Sequence, residues 1–190
     1  MMQAICLWSG PRNVSTALMY SFAQRQDVRV VDEPLYGHYL VATGLDHPNR
    51  DRILATVPTD ADDIITMMLE SDCPTPVRFF KNMAHHLVGF DPGAFDELES
   101  FLLVRDPRDN YASYQHKHSE WTPGFFAGNW RASTARGLAN RDAAGEDAYW
   151  MLRYEDLVRK PEETIADLRA FLDIVDDQTL RVPTRAGVAW

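Results

Sequence analysis

Five short apolar runs, separated by helix signals, are what most narrows the folds open to this chain. Residues 3–8, 28–31, 77–80, 101–104 and 149–153 have the length and composition of strands. Helical patterns lie between them. Residues 15–25 and 50–57 are two; a third follows Thr59 and shows Ile64, Ile65, Met68 and Leu69 on one face. Thr59 and Asp62 have the spacing of a capping box. Asp106-Pro107 opens another helix, with an acceptor at the cap and proline at the first position. Pro161-Glu162-Glu163 opens a last one, whose core face is Ile165, Leu168, Phe171 and Leu172. Strands alternating with helices predict an α/β fold of three layers: an open parallel sheet of about five strands with helices on both faces. Ligands of such sheets bind beyond the C-terminal strand ends. That rule puts 9–16, 32–34, 81–86 and 105–113 on one rim.

The chain has 190 residues, 45% of them hydrophobic, which suits one domain over 1–190 with a buried core. No apolar run reaches the roughly 18 residues of a membrane helix, and no basic segment leads into an apolar one at the N-terminus. Cys6 and Cys73 form neither a disulfide nor a zinc pattern, and Cys6 lies in a strand-like run. These features predict a cytoplasmic protein with reduced thiols. A formal charge of −9 argues against broad binding to nucleic acid or acidic membranes. It leaves open the capture of one small anion by a few placed arginines. The oligomeric state is not readable.

The stretch Ser9-Gly10-Pro11-Arg12-Asn13-Val14-Ser15-Thr16 has the outline of a phosphate-binding loop between a strand and a helix, without the Gly-Lys-Ser/Thr ending of an ATP loop. Backbone N–H groups around 13–16 would face outward at a helix N-terminus and attract an anion. Arg12 adds charge and planar donors, and Ser15 and Thr16 add hydroxyls. A plain strand–helix turn is the alternative. A second anion point is Arg105, at the end of a strand, with Ser113 eight residues on, about two turns into the next helix. Its alternative is Arg105 paired with Asp106 or Asp109.

These two motifs resemble those of sulfotransferases that use 3′-phosphoadenosine 5′-phosphosulfate (PAPS). In that family a loop of the form Pro-Lys/Arg-x-Gly-Thr/Ser-Thr holds the 5′-phosphosulfate, and an Arg followed eight residues later by Ser holds the 3′-phosphate. Pro11 to Thr16 match the first, with Arg12 where many members have Lys and Val14 where most have Gly. Arg105 to Ser113 match the second without gaps. The resemblance runs from residue 4 to about 174 and implies a fold like that of P-loop nucleotide kinases. It implies nucleotide contacts from Gly10 through Thr16, from Arg105 and Ser113, from Tyr154 toward the adenine, and from Arg185 and Gly187 in a shortened closing loop. It implies no metal, because there is no pair of β- and γ-phosphates to bridge. A residue at position 14 must avoid a positive φ or tolerate strain.

The acceptor's proton needs a base. Glu33, after the second strand, is the first candidate; the alternative is that Asp32 or Glu33 caps a helix beginning near Leu35. Lys81 follows the third strand, where the resembled family often has a lysine near the transferred group. His85 and His86 come soon after and offer a near-neutral base, although the family's usual histidine position holds Met83. The stretch 114–130 is predicted as a loop or lid. Its Trp121, Phe125, Phe126 and Trp130 would either wall an acceptor pocket or pack between helices. The resulting reading is a PAPS-dependent sulfotransferase acting on a small molecule. A non-catalytic nucleotide-binding module and a small-molecule kinase are the rivals.

Overall fold

The computed structural model describes residues 3–69, 73–116, 119–145, 149–175, 180, 184–185 and 188–189. Five parallel strands form one sheet: β1 (Gln3–Ser9), β2 (Val28–Asp32), β3 (Val77–Met83), β4 (Glu99–Val104) and β5 (Tyr149–Arg153). Their spatial order is β2-β3-β1-β4-β5. Each strand lies at or within three residues of its sequence-predicted position. Helices α1 (Ser15–Phe22), α2 (Tyr36–Thr43), α3 (Arg50–Leu54), α4 (Ala61–Leu69), α5 (Pro107–Gln115), α6 (Pro123–Ala144), α7 (Tyr154–Arg159) and α8 (Pro161–Phe171) connect and cover them. Thr184–Arg185 and Val188–Ala189 form a separate two-stranded antiparallel pair, β6 and β7.

Burial on both faces explains the near-continuous apolar strands. Alternate residues of β1 feed two cores. Ile5 and Leu7 join Leu18, Phe22, Phe79, Leu157 and Leu168 on one side. Cys6 and Trp8 join Ile64, Met68, Phe80, Phe95 and Leu102 on the other. Burial pushes the Cys6 thiol well above its ordinary range, against a hydrogen bond from Asn82, so it is an inert core group.

Two local expectations are corrected. The cap of α4 is Asp60, not Thr59: its Oδ1 accepts from the N–H groups of Asp62 (3.0 Å) and Asp63 (3.1 Å). The aromatic stretch is no lid. Thr122 caps α6, accepting from Phe125 N at 3.2 Å, and Pro123 begins a 22-residue helix. Among the described residues no helix is long and apolar enough to cross a membrane.

The chain leaves β1 toward one edge of the sheet and leaves β4 toward the other, so the connections after them diverge. That divergence is where ligands enter doubly wound sheets. Register holds Ser9 level with Met83 on one side and Leu103 on the other. The three segments that follow therefore emerge side by side.

Candidate active site

The first of these segments joins β1 to α1. Arg12 and Val14 are both left-handed, with φ of 64° and 58°. L-residues, and β-branched ones above all, avoid this region. Left-handed Val14 followed by helical Ser15 turns successive N–H groups toward one point, a concavity suited to an anion. Asn13 holds the loop in this shape. Its buried Nδ2 donates to the Leu103 carbonyl at 3.0 Å, and its Oδ1 accepts from Asn110 Nδ2 at 2.6 Å. The same Asn110 amide donates to the Pro11 carbonyl at 3.0 Å. With its side chain engaged, Asn13 has only its backbone to offer a ligand.

Arg105 and Ser113, the second candidate anion point, lie beside the loop. Asp106 is taken by Arg108, whose Nε donates to it at 2.9 Å and holds its carboxyl well below the usual range. Among the described residues Arg105 pairs with neither Asp106 nor Asp109. Its Nη1 donates to the Arg12 carbonyl at 2.8 Å, and its guanidinium lies 4.0 Å over the Tyr154 ring. Its Nε is buried and, among the described residues, has no partner. Arg12 Nε donates to Ser113 Oγ at 3.2 Å. Two segments 93 residues apart thus bring Arg12, Arg105 and Ser113 together.

On the far side of the rim, Lys81 is almost fully buried. Its Nζ lies 2.9 Å from Asp32 Oδ1 and donates to Glu33 Oε1. Glu33 N–H returns a bond to the Lys81 carbonyl at 2.8 Å, and Glu33 is itself left-handed with φ 50°. Neither carboxylate is a helix cap: α2 begins at Tyr36 with Leu35 at its N-cap, and among the described residues no side chain caps it. The helix-cap alternative for Asp32 and Glu33 is therefore overturned. His85 and His86 lie on a single 3-10 turn, Ala84–His86. His86 is buried against the rings of Tyr36 (5.1 Å) and Tyr39 (4.8 Å). Burial, reinforced by His85 and Lys81, pushes its pKa down to about 2. Burial, then the charges of Arg136 and Lys81, pushes His85 down to about 4. Both rings are neutral near pH 7.

Between the loop, the 3-10 turn and α6 lies a cavity of about 430 Å³, a size typical of small-molecule sites. Trp121, Phe125, Phe126 and Trp130 line it, as do Tyr39 and His85. Gly10, Pro11 and Arg105 form the wall shared with the anion points, while Glu33, Lys81 and His86 lie outside the lining. Tyr114 stacks on Trp121 at 4.9 Å and meets Phe126 edge-on at 5.4 Å, so the aromatic wall is itself packed.

Sequence reading missed Asn110, Tyr39, Ser133 and Arg136. The last two sit on α6, which Thr122-Pro123 announces by the same cap-then-proline signal as Asp106-Pro107. Arg185 lies on β6, opposite Val188. Gly187 falls outside the described residues.

Comparison with known proteins places the chain. The family model for the sulfotransferase domain matches residues 2–180. The fold is similar to the sulfotransferase domain from the curacin biosynthetic pathway: TM-score 0.69, 18% identity, 100% of this chain and 83% of that one covered. It is also similar to a mouse sulfotransferase complexed with PAP: TM-score 0.56, 14% identity, 94% of this chain and 61% of that one. A branched-chain-amino-acid aminotransferase-like protein of Arabidopsis thaliana is 36% identical over 118 residues, 62% of this chain. The match spans only 21% of that relative's length.

Proposed function

Because the chain belongs to the sulfotransferase domain family, we propose that it moves a sulfuryl group from PAPS to a hydroxyl or amine of a small molecule held in the aromatic cavity. The observation that carries this reading is the convergence of Arg12, Arg105 and Ser113 at the divergence of the sheet's connections, beside that cavity. The residues suit the nucleotide. A 3′-phosphate would satisfy the orphaned Arg105 Nε and meet Ser113. The Tyr154 ring beneath Arg105 offers a face near an adenine. Arg185 and Gly187 would close over the nucleotide as the resemblance implies. When bound, PAPS supplies the activated sulfuryl group.

The chain's own residues then have distinct tasks. Loop N–H groups and Arg12 stabilise charge building on the leaving phosphate oxygen, typically the largest catalytic term in such transfers. Lys81, steadied by Asp32 and Glu33, adds a second cation on the sulfuryl side. As the acceptor's oxygen or nitrogen bonds to sulfur and the bond from sulfur to phosphate oxygen breaks, the acceptor's proton must leave. His85 is the better placed of the two candidate bases: it lines the cavity with a neutral ring, whereas Glu33 lies outside the lining and is bound to Lys81. Glu33 then acts by positioning Lys81.

Nucleotide choice tests the reading. Calorimetry should show 3′-phosphoadenosine 5′-phosphate binding more tightly than ADP by about 10- to 150-fold, with Arg105→Ala removing most of the difference. Equal binding of the two nucleotides by the unmodified protein rejects it. Transfer of labelled sulfate to an acceptor panel should survive EDTA. Binding without any turnover would favour a non-catalytic module instead.

A further inference from the structure

Among the described residues the cavity's lining includes Arg105, Arg136 and His85 but not a single Asp or Glu. The chain as a whole has 28 acidic residues against 19 lysines and arginines. That the described lining carries no carboxylate, on such an acidic protein, is a local feature that composition does not produce. Arg105 is accounted for by the nucleotide; Arg136 is not. It belongs to α6, which packs on the 3-10 turn that holds His85. Among the described residues it forms no ion pair and no hydrogen bond. Its charge reaches His85, where it is the largest effect after burial in keeping that ring neutral. One turn earlier on α6, Ser133 also lines the cavity. Ser133 is 5% exposed, and among the described residues its Oγ has no partner. Asn129 and Thr134 of α6 also line the cavity, beside Phe125, Phe126, Trp130 and Ala132.

Resting on the sulfotransferase reading, we infer that the cavity takes an acceptor with an apolar or aromatic body and an anionic group, such as a carboxylate, bound by Arg136 and Ser133. The buried Ser133 hydroxyl calls for a partner, and the exposed guanidinium of Arg136, with no acidic partner among the described residues, matches a carboxylate with two parallel donors. The aromatic walls hold the body. The hydroxyl to be modified then lies toward His85 and the loop. An anion against Arg136 also offsets one of the charges that oppose protonation of His85, so the correct acceptor assists its own deprotonation.

The test uses direct binding and needs no turnover. Calorimetry in the presence of 3′-phosphoadenosine 5′-phosphate compares para-hydroxyphenylpropanoate with its uncharged amide. The acid should bind about 10- to 100-fold more tightly. Arg136→Gln should bring the acid down to the level of the amide and leave amide and nucleotide affinities unchanged; Arg136→Lys should restore part of the preference. Arg136 is exposed, so these variants should fold normally. Equal binding of acid and amide, binding of neither, or an Arg136→Gln defect confined to the nucleotide would overturn the inference. Absence of sulfuryl transfer alongside an intact acid preference would reject the catalytic reading and leave the anion site standing.

Discussion

Val14 adopts φ 58° directly before α1, a conformation that costs an L-residue about 1–2 kcal/mol. It also packs on the core beneath α1, so its side chain returns part of that cost. Val14→Ala loses the packing and keeps most of the strain. Val14→Gly loses the packing and releases the strain. The glycine variant should therefore be the more stable of the two by about 1 kcal/mol, measured as the difference in urea unfolding free energy. An alanine variant as stable as glycine would mean that the loop is not held left-handed. Arg12, Val14 and Glu33 are three of the four non-glycine residues with positive φ among those described, and all lie on one rim. Strain of this kind concentrates at functional sites, where the surrounding structure enforces it. At the same scale, His85→Asn should lower kcat by about 10²- to 10⁴-fold while leaving nucleotide affinity unchanged. Glu33→Gln, which leaves Asp32 on Lys81, should cost less. Steady-state kinetics on one acceptor decides. A normal His85→Asn enzyme beside a dead Glu33→Gln enzyme would transfer the base role to Glu33.

Helix α6 walls the cavity and is pressed against β4 through Gly137. A Cβ there would stand 2.8 Å from Leu102 Cδ1. Alanine gains up to about 1 kcal/mol of helix propensity over glycine. Overpacking typically costs about 1–3 kcal/mol, and Leu102 is 1% exposed with little room to yield. Overpacking should win, so Gly137→Ala lowers stability by about 1–2 kcal/mol and moves the cavity wall. A thermal midpoint equal to or above that of the parent would contradict this. The same packing explains why α6 was hard to see in the sequence. Its buried positions include Ser133, Gly137 and Asn140 rather than an apolar stripe, so the 3.6-residue period is nearly absent. The strands were legible because burial on both faces makes them continuously apolar, as in Phe101-Leu102-Leu103. Arg12, Arg105 and Ser113 were legible because short spacings carry their chemistry. Arg136 was not: it meets His85 only through tertiary packing across some fifty residues of chain, and no local pattern records that.

For the whole molecule, these two neutral histidines make stability depend on pH with a definite sign. In the unfolded chain each takes up a proton near pH 6.5. In the fold, burial lowers His85 to about 4 and His86 to about 2. Between the unfolded and folded values the unfolded state binds more protons, so stability falls as pH drops below about 6.5. By about pH 5 each shielded histidine should cost on the order of 2 kcal/mol, out of a total of roughly 5–15 kcal/mol for a domain. Glu99 works the other way, since burial raises its pKa and protonation favours the fold. Asp106 acts in the histidines' direction, but only at lower pH, because Arg108 holds its pKa well down. In the window between about 4 and 6.5 the two histidines oppose the single Glu99 and set the net sign. Urea midpoints should decline across it, and His86→Gln should flatten the decline by about one proton's worth of slope. An unchanged slope in that variant would show that His86 is reached by water and protonated in the fold. That would dismantle the packed wall of Tyr36, Tyr39 and His86 against which His85 is held neutral beside the cavity.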